Sequence, residues 1–145
     1  LFVGFVIYNL ALTITGSFIS YNKSIIPVFI FSIIIFISKY MLHASALIHT
    51  LLVLMLCILL VYIFNSIDLI LVMVGALITM ILAIFGSILV VCPVLKRIGV
   101  AIAINMRSLD WLYLSLGETM IPLITLFILR AKKISIKNYI NECIK

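Results

Sequence analysis

Glu118 is an acid set inside an apolar stretch, with Gly117 directly before it and Pro122 four residues on. If the surrounding run, residues 109–130, is a helix in lipid, Glu118 lies about 13 Å from its start, close to mid-bilayer. A charged carboxylate is costly at that depth, so the group must be protonated, paired or beside a water-filled cavity. Such an acid can relay a proton or an ion. The competing role is a structural hydrogen bond to a neighbouring helix. On one continuous helix Arg107 sits eleven residues before Glu118 and about 20° from it around the axis, with Asp110 and Thr125 near the same face. Three turns separate Arg107 from Glu118, so the two would line a polar track without touching. Gly117 and Pro122 are expected to loosen the helix around the acid.

Asp68 follows Asn65-Ser66 and opens another apolar run, the place of an N-cap or first-turn acid; a second station on a proton path is the alternative. His43 and His49 are six residues apart and do not share a helix face as metal ligands at i, i+4 would. Bis-histidine haem ligation would need them on facing helices, and nothing in the sequence places them there; His43 reads as interfacial. Cys57, Cys92 and Cys143 are widely spaced and form no CxxC, so neither a disulfide framework nor a metal site is suggested. Cys57, inside an apolar run, reads as a small hydrophobe. There is no Ser-His-Asp grouping, Gly-rich phosphate loop or zinc spacing. Catalysis by this chain alone is not expected, nor a metal or cofactor bound by it.

The elements that must position these residues follow from composition. The 145 residues are 67% hydrophobic and 10% charged, with a mean hydropathy of +1.48; a soluble domain carries about 25% charged residues. There is too little polar surface to cover a core in water, which points to lipid as the solvent. The net charge of +6 sits at segment ends, as in membrane anchors, and not in a nucleic-acid-binding patch. The expected fold is all-α, a single polytopic transmembrane helix bundle spanning residues 1–145. About five spans are expected, near residues 1–20, 25–42, 44–64, 67–92 and 109–130, with a basic tail over 131–145. No period-two alternation suggests a barrel. Residues 1–20, with no basic region or small-residue cleavage site before the apolar stretch, read as a mature span and not a signal peptide.

The second run is nearly featureless and is expected to face lipid. The first carries Asn9, Thr13, Gly16 and Ser20 as one polar, small stripe, and the fourth carries Gly75, Thr79, Ala83 and Ser87 at strict i+4 spacing. Small residues let helix backbones approach closely where lipid supplies no hydrophobic drive for association, so both stripes read as helix-packing seams. Residues 93–108 hold Lys96, Arg97 and Arg107 around an apolar core and read as an interfacial helix before the last span. The tail sets five cations against Glu142 and should lie inside. Five spans would then put the basic 93–108 segment outside. A hairpin of two short helices within 98–129, turning near 107–110, would put both basic segments inside. Five spans with the C-terminus inside is the preferred arrangement.

Two stretches carry a family resemblance. Val72-Met73-Val74-Gly75-Ala76-Leu77-Ile78, after a helix and a short turn, resembles the third-helix signature of chain six in the membrane arm of respiratory NADH:ubiquinone oxidoreductase, with Met73 in place of the family's Tyr. Trp111-Leu112-Tyr113 with Gly117-Glu118-Thr119-Met120-Ile121-Pro122 is similar to the glutamate-bearing helix of the antiporter-like chains of that complex. The resemblance implies a non-catalytic membrane subunit of a proton-translocating complex in the mitochondrial inner membrane. It implies Glu118 and Asp68 on a proton path, and the Gly75 seam against neighbouring subunits of a hetero-oligomer. In the family the third helix can contain a π-bulge, and ubiquinone, flavin and iron–sulfur centres would belong to partner subunits. Without the resemblance, the residues equally allow a small transporter or permease component, with residues 93–97 as a cytoplasmic coupling element, or a structural scaffold. A bacterial plasma membrane is the alternative location.

Overall fold

The computed structural model describes residues 1–18, 21–38, 46–91, 93 and 108–143, and among them the chain is helical throughout, with no strand. The described residues form six α-helices in order: α1 (Phe2–Thr15), α2 (Ile25–Phe36), α3 (Ala46–Asn65), α4 (Leu69–Gly86), α5 (Ser108–Lys132) and α6 (Ile136–Cys143). A 3-10 turn at Tyr21–Ser24 leads straight into α2, whose first turn contains Pro27, a position where the missing amide hydrogen costs nothing. A π-helical turn, Ser87–Val91, extends α4.

Among the described residues two helices are long and apolar enough to cross a membrane, Ile48–Asn65 and Leu69–Val90. The first two runs give shorter helices than expected. α1 stops at Thr15 because Gly16 adopts φ 95°, a left-handed conformation open to glycine at little cost. The Gly16 amide donates to the Thr13 carbonyl at 3.1 Å and the Ser17 amide to the Leu12 carbonyl at 3.0 Å, which is a Schellman termination. Gly16 is therefore a stop signal and not a member of the packing stripe, and Ser20 lies outside the described residues. α2 ends at Phe36, with π geometry carrying on to Ser38. The interfacial helix expected over 93–108 falls almost wholly outside the described residues. Of the alternative hairpin within 98–129, the first arm lies outside the described residues; from Ser108 on, α5 runs unbroken for 25 residues, about 38 Å.

α1 is the hub. It touches each of the five other helices, and every residue from 6 to 15 is buried. Chain direction follows from pairwise contacts. Ser24 meets Asn9 and Ser32 lies against Gly4, so α2 runs antiparallel to α1. Ser38 at the end of α2 bonds His49 near the start of α3, and Asn65 at the end of α3 reaches Tyr8 of α1. α4 returns after the short turn at Ser66, whose φ is 49°. Leu126 packs with Leu10 and Ile14 while Ser135, just past the end of α5, lies against Gly16 at the end of α1, so α5 runs parallel to α1. The five long helices thus alternate in direction.

The core holds Tyr8, Leu12, Phe31, Cys57, Val61, Val72 and Ala76, while long apolar side chains such as Phe29, Met55, Phe85 and Phe127 point outward. α2 buries only Pro27, Val28 and Phe31. α4 buries Val72, Gly75, Ala76 and Thr79 on one face, and Gly75 brings it hard against α1. A Cβ built on Gly75 would stand 2.8 Å from Thr15 Cγ2 and 3.0 Å from the Ala11 carbonyl oxygen. Thr15 is branched at Cβ and its hydroxyl donates to the Leu12 carbonyl at 2.7 Å, so it cannot swing aside. A similar approach joins α1 to α2, where a Cβ on Gly4 would lie 2.6 Å from Ser32 Oγ.

Gly75→Ala gains about 1 kcal/mol of helix propensity but forces α4 away from α1 at a cost of about 1–3 kcal/mol. A net loss of stability is expected, read as faster maleimide labelling of the buried Cys57 in a chain carrying Cys92→Ser and Cys143→Ser.

Candidate functional site

A helix enclosed on all sides must satisfy its polar side chains internally, and α1 carries three at full burial: Asn9, Thr13 and Thr15. Thr13 Oγ1 donates to the Asn9 carbonyl at 2.8 Å, and Asn9 Nδ2 to the Phe5 carbonyl at 2.9 Å. These bonds leave the Asn9 amide oxygen and the Thr13 hydroxyl oxygen as acceptors. Ser24, at the N-terminus of α2, has no capping bond to its own helix; its hydroxyl donates to Asn9 Oδ1 at 3.1 Å. Arg130, near the end of α5, supplies the rest. Its Nε donates to Thr13 Oγ1 at 3.2 Å and its Nη2 to Asn9 Oδ1 at 3.3 Å. The planar fork of a guanidinium suits two acceptors held side by side.

Four residues from three segments thus form one polar cluster, Asn9, Thr13, Ser24 and Arg130, near the C-terminal ends of α1 and α5. Arg130 is half-buried, so the cluster has one enclosed side and one side toward the surface. It can hold a positive charge at the edge of the bundle and tie α1, α2 and α5 together. Read along the sequence, Arg130 belongs to a basic tail and Asn9 and Thr13 to a packing stripe. The signal that could join them is spacing: Thr119, Pro122, Leu126 and Arg130 fall on one face of α5, and the first three are buried.

A second polar contact lies at the end of α3, where Asn65 Nδ2 donates to the Tyr8 hydroxyl at 2.9 Å. His49 Nδ1 and Ser38 Oγ lie 2.9 Å apart, which fixes the histidine to α2. Among the described residues no group of three or more His, Cys, Asp or Glu side chains could hold a metal ion. His43 and Cys92 lie outside the described residues.

Of the proton-path candidates, Asp68 is the one whose side chain is described. Asp68 is exposed, and its Oδ1 accepts from the Ile70 amide at 2.8 Å, so its carboxylate is the N-cap of α4. Arg107 lies outside the described residues. Asp110 and Glu118 are both on α5, Asp110 in its first turn, with side chains outside the described set. Around residue 118 the backbone has one clear property. Pro122 lacks the amide hydrogen that would reach the residue 118 carbonyl four positions back.

Of the fourth-run stripe, Gly75 and Thr79 are buried, Ala83 is half-buried, and Ser87 opens the π turn. Thr79 Oγ1 donates to the Gly75 carbonyl at 2.8 Å. At Gly75 the seam faces α1 of the same chain, where a neighbouring subunit was expected. α4 is regular through residues 72–78, and its π geometry begins only at Ser87. No protein family, curated protein or solved structure compared with the chain matches it.

Two substitutions test these assignments. Arg130→Ala should cost about 1.5 kcal/mol, the low end for bonds to a charged donor given their length. Arg130→Lys should recover less than half of it, because an ammonium cannot serve both acceptors from the same fork; the Cys57 labelling rate reads both. Asp68→Ala should lose about 1 kcal/mol of capping, whereas Asp68→Asn keeps the cap and should be near neutral.

Proposed function

We propose that the chain is a five-span, non-catalytic membrane subunit of a proton-translocating respiratory complex of the NADH:ubiquinone oxidoreductase type. The observation that carries the membrane part is an inverted surface. Large apolar side chains face outward on α2, α3, α4 and α5, while Asn9, Thr13 and Thr79 are buried and hydrogen-bonded within the bundle. A monomer in water exposes contiguous apolar patches of only a few hundred Å², and lipid removes that limit. The alternation of five helices supports five crossings, with the shorter α1 and α2 completed by neighbouring turns or by a locally thinner bilayer.

The respiratory assignment rests on the resemblance of residues 72–78 and 111–122 to membrane-arm chains of that complex. On this reading the bilayer is the mitochondrial inner membrane or, in a bacterium, the plasma membrane. Flavin, iron–sulfur centres and ubiquinone belong to partner subunits, and this chain contributes Glu118 on α5. Pro122 leaves the residue 118 carbonyl without its helical donor, so the helix around the acid has an acceptor to offer a water or a neighbouring side chain.

A scaffold role is the second reading, and two observations favour it: the Asp68 carboxylate is engaged as a cap, and Arg130 ties α5 to α1. Extraction in mild detergent separates the readings from a transporter, because the respiratory reading expects co-purification with flavin- and iron–sulfur-containing subunits. In the purified complex, Glu118→Gln should lower proton pumping several-fold with assembly intact. Unchanged pumping by a fully assembled variant would remove Glu118 from the path and leave the scaffold reading.

A further inference from the structure

We propose that α6 is an interfacial anchor, with its free apolar edge in the headgroup–acyl boundary of the bilayer and the neighbouring lysines on anionic lipid phosphates. This rests on the membrane reading above and goes beyond it, by assigning a lipid-binding surface to a segment whose composition alone suggests a plain basic tail.

The chain leaves α5 through a second Schellman termination. Lys133 has φ 52°, its amide donates to the Arg130 carbonyl at 3.3 Å, and the Ile134 amide donates to the Leu129 carbonyl at 3.0 Å. Ser135, buried, then caps α6 by accepting from the Asn138 amide at 3.2 Å. Both Ser135 Oγ and Lys137 Cβ come within 3.0 Å of where a Cβ on Gly16 would stand. α6 therefore starts directly over the C-terminal end of α1. Its position is fixed by this termination, the Ser135 cap and the close approach to Gly16, which an unstructured tail would not need.

The helix is amphipathic. Ile136, Tyr139 and Ile140 recur at i, i+3 and i+4, with Lys137 and Asn138 between them. Ile136 packs into the cluster of Leu10, Ile14 and Leu126. One turn later the same stripe has run off the bundle: Tyr139 is 69% exposed and Ile140 41%. Ile134 before the helix and Phe127 and Ile128 on α5 are exposed as well, so the uncovered edge of α6 continues an apolar surface already turned to lipid.

Charge selects the occupant. Lys132, Lys133 and Lys137 are exposed at this end, beside the half-buried Arg130. An apolar stripe carrying a tyrosine and bordered by lysines matches the chemistry of the bilayer interface, where aromatic rings sit at headgroup level and cations meet phosphate. The face of another subunit is the competing occupant, and the test distinguishes the two.

The full chain has one tryptophan, so Trp111→Phe gives a silent background. Into it go Tyr139→Trp or, separately, Phe127→Trp, each reconstituted alone in phosphatidylcholine–phosphatidylglycerol vesicles containing brominated phosphatidylcholine. Unchanged Cys57 labelling certifies the fold. Bromolipid is expected to quench both tryptophans, with acrylamide reaching Tyr139→Trp several-fold less than free indole. Replacing phosphatidylglycerol by phosphatidylcholine, or Lys132, Lys133 and Lys137 by Gln, should weaken quenching of Tyr139→Trp and leave Phe127→Trp unchanged. If Phe127→Trp is quenched while Tyr139→Trp is open to acrylamide and untouched by bromolipid, the anchor is overturned and the membrane reading stands. Protection of Tyr139→Trp only in the assembled complex overturns it in favour of a subunit contact. Quenching at neither position overturns the membrane reading itself.

Discussion

The enclosure of α1 is the constraint from which the rest of the architecture follows. A helix touched by every other helix has no face to give to water or to lipid, so each of its polar side chains must find a partner inside the bundle. Asn9 and Thr13 meet part of that demand through carbonyls of their own helix, which leaves acceptor lone pairs directed away from it. Ser24 and Arg130 come to those acceptors. The same enclosure requires that the surrounding helices come close, and Gly75 and Gly4 are the positions at which α4 and α2 do so. Polar satisfaction and backbone proximity are thus two consequences of one placement.

This arrangement commits several polar residues to holding the fold. Asp68 is engaged as a cap, Asn65 and Arg130 in interhelical bonds, and Thr79 in a bond to a carbonyl of its own helix. A buried hydrogen bond contributes little net free energy, but losing one partner costs the full desolvation of the other. These residues therefore specify the arrangement more than they stabilise it. The proposed function gives a relay role to Glu118 on α5, four residues before a proline that removes one helical hydrogen bond. At the far end of α5, a Schellman termination and a serine cap turn the chain over α1 and set α6 at the edge of the bundle. The polar cluster and this edge lie at the same end of α5, the end the proposed anchor uses.

By itself the sequence determined the helical class, the apolar exterior and the Asp68 cap, because each depends on local pattern: mean hydropathy, unbroken apolar runs, and an acid placed just before one of them. The segment after α5 was partly legible too. Ser135 with Ile136, Tyr139 and Ile140 spells a capped amphipathic helix, although the density of lysines hides it. Tertiary structure alone decided that Gly16 stops α1 instead of joining its stripe, since a glycine's backbone conformation depends on what lies beyond it, here Ser135 and Lys137 from residues more than a hundred positions later. It alone decided that the Gly75 face meets α1 of the same chain, and that Arg130 turns inward to Asn9 and Thr13. Those contacts join residues separated by 121 and 117 positions. No periodicity or propensity reaches that far; only the packing of complementary shapes and the need to satisfy buried acceptors bring such residues together.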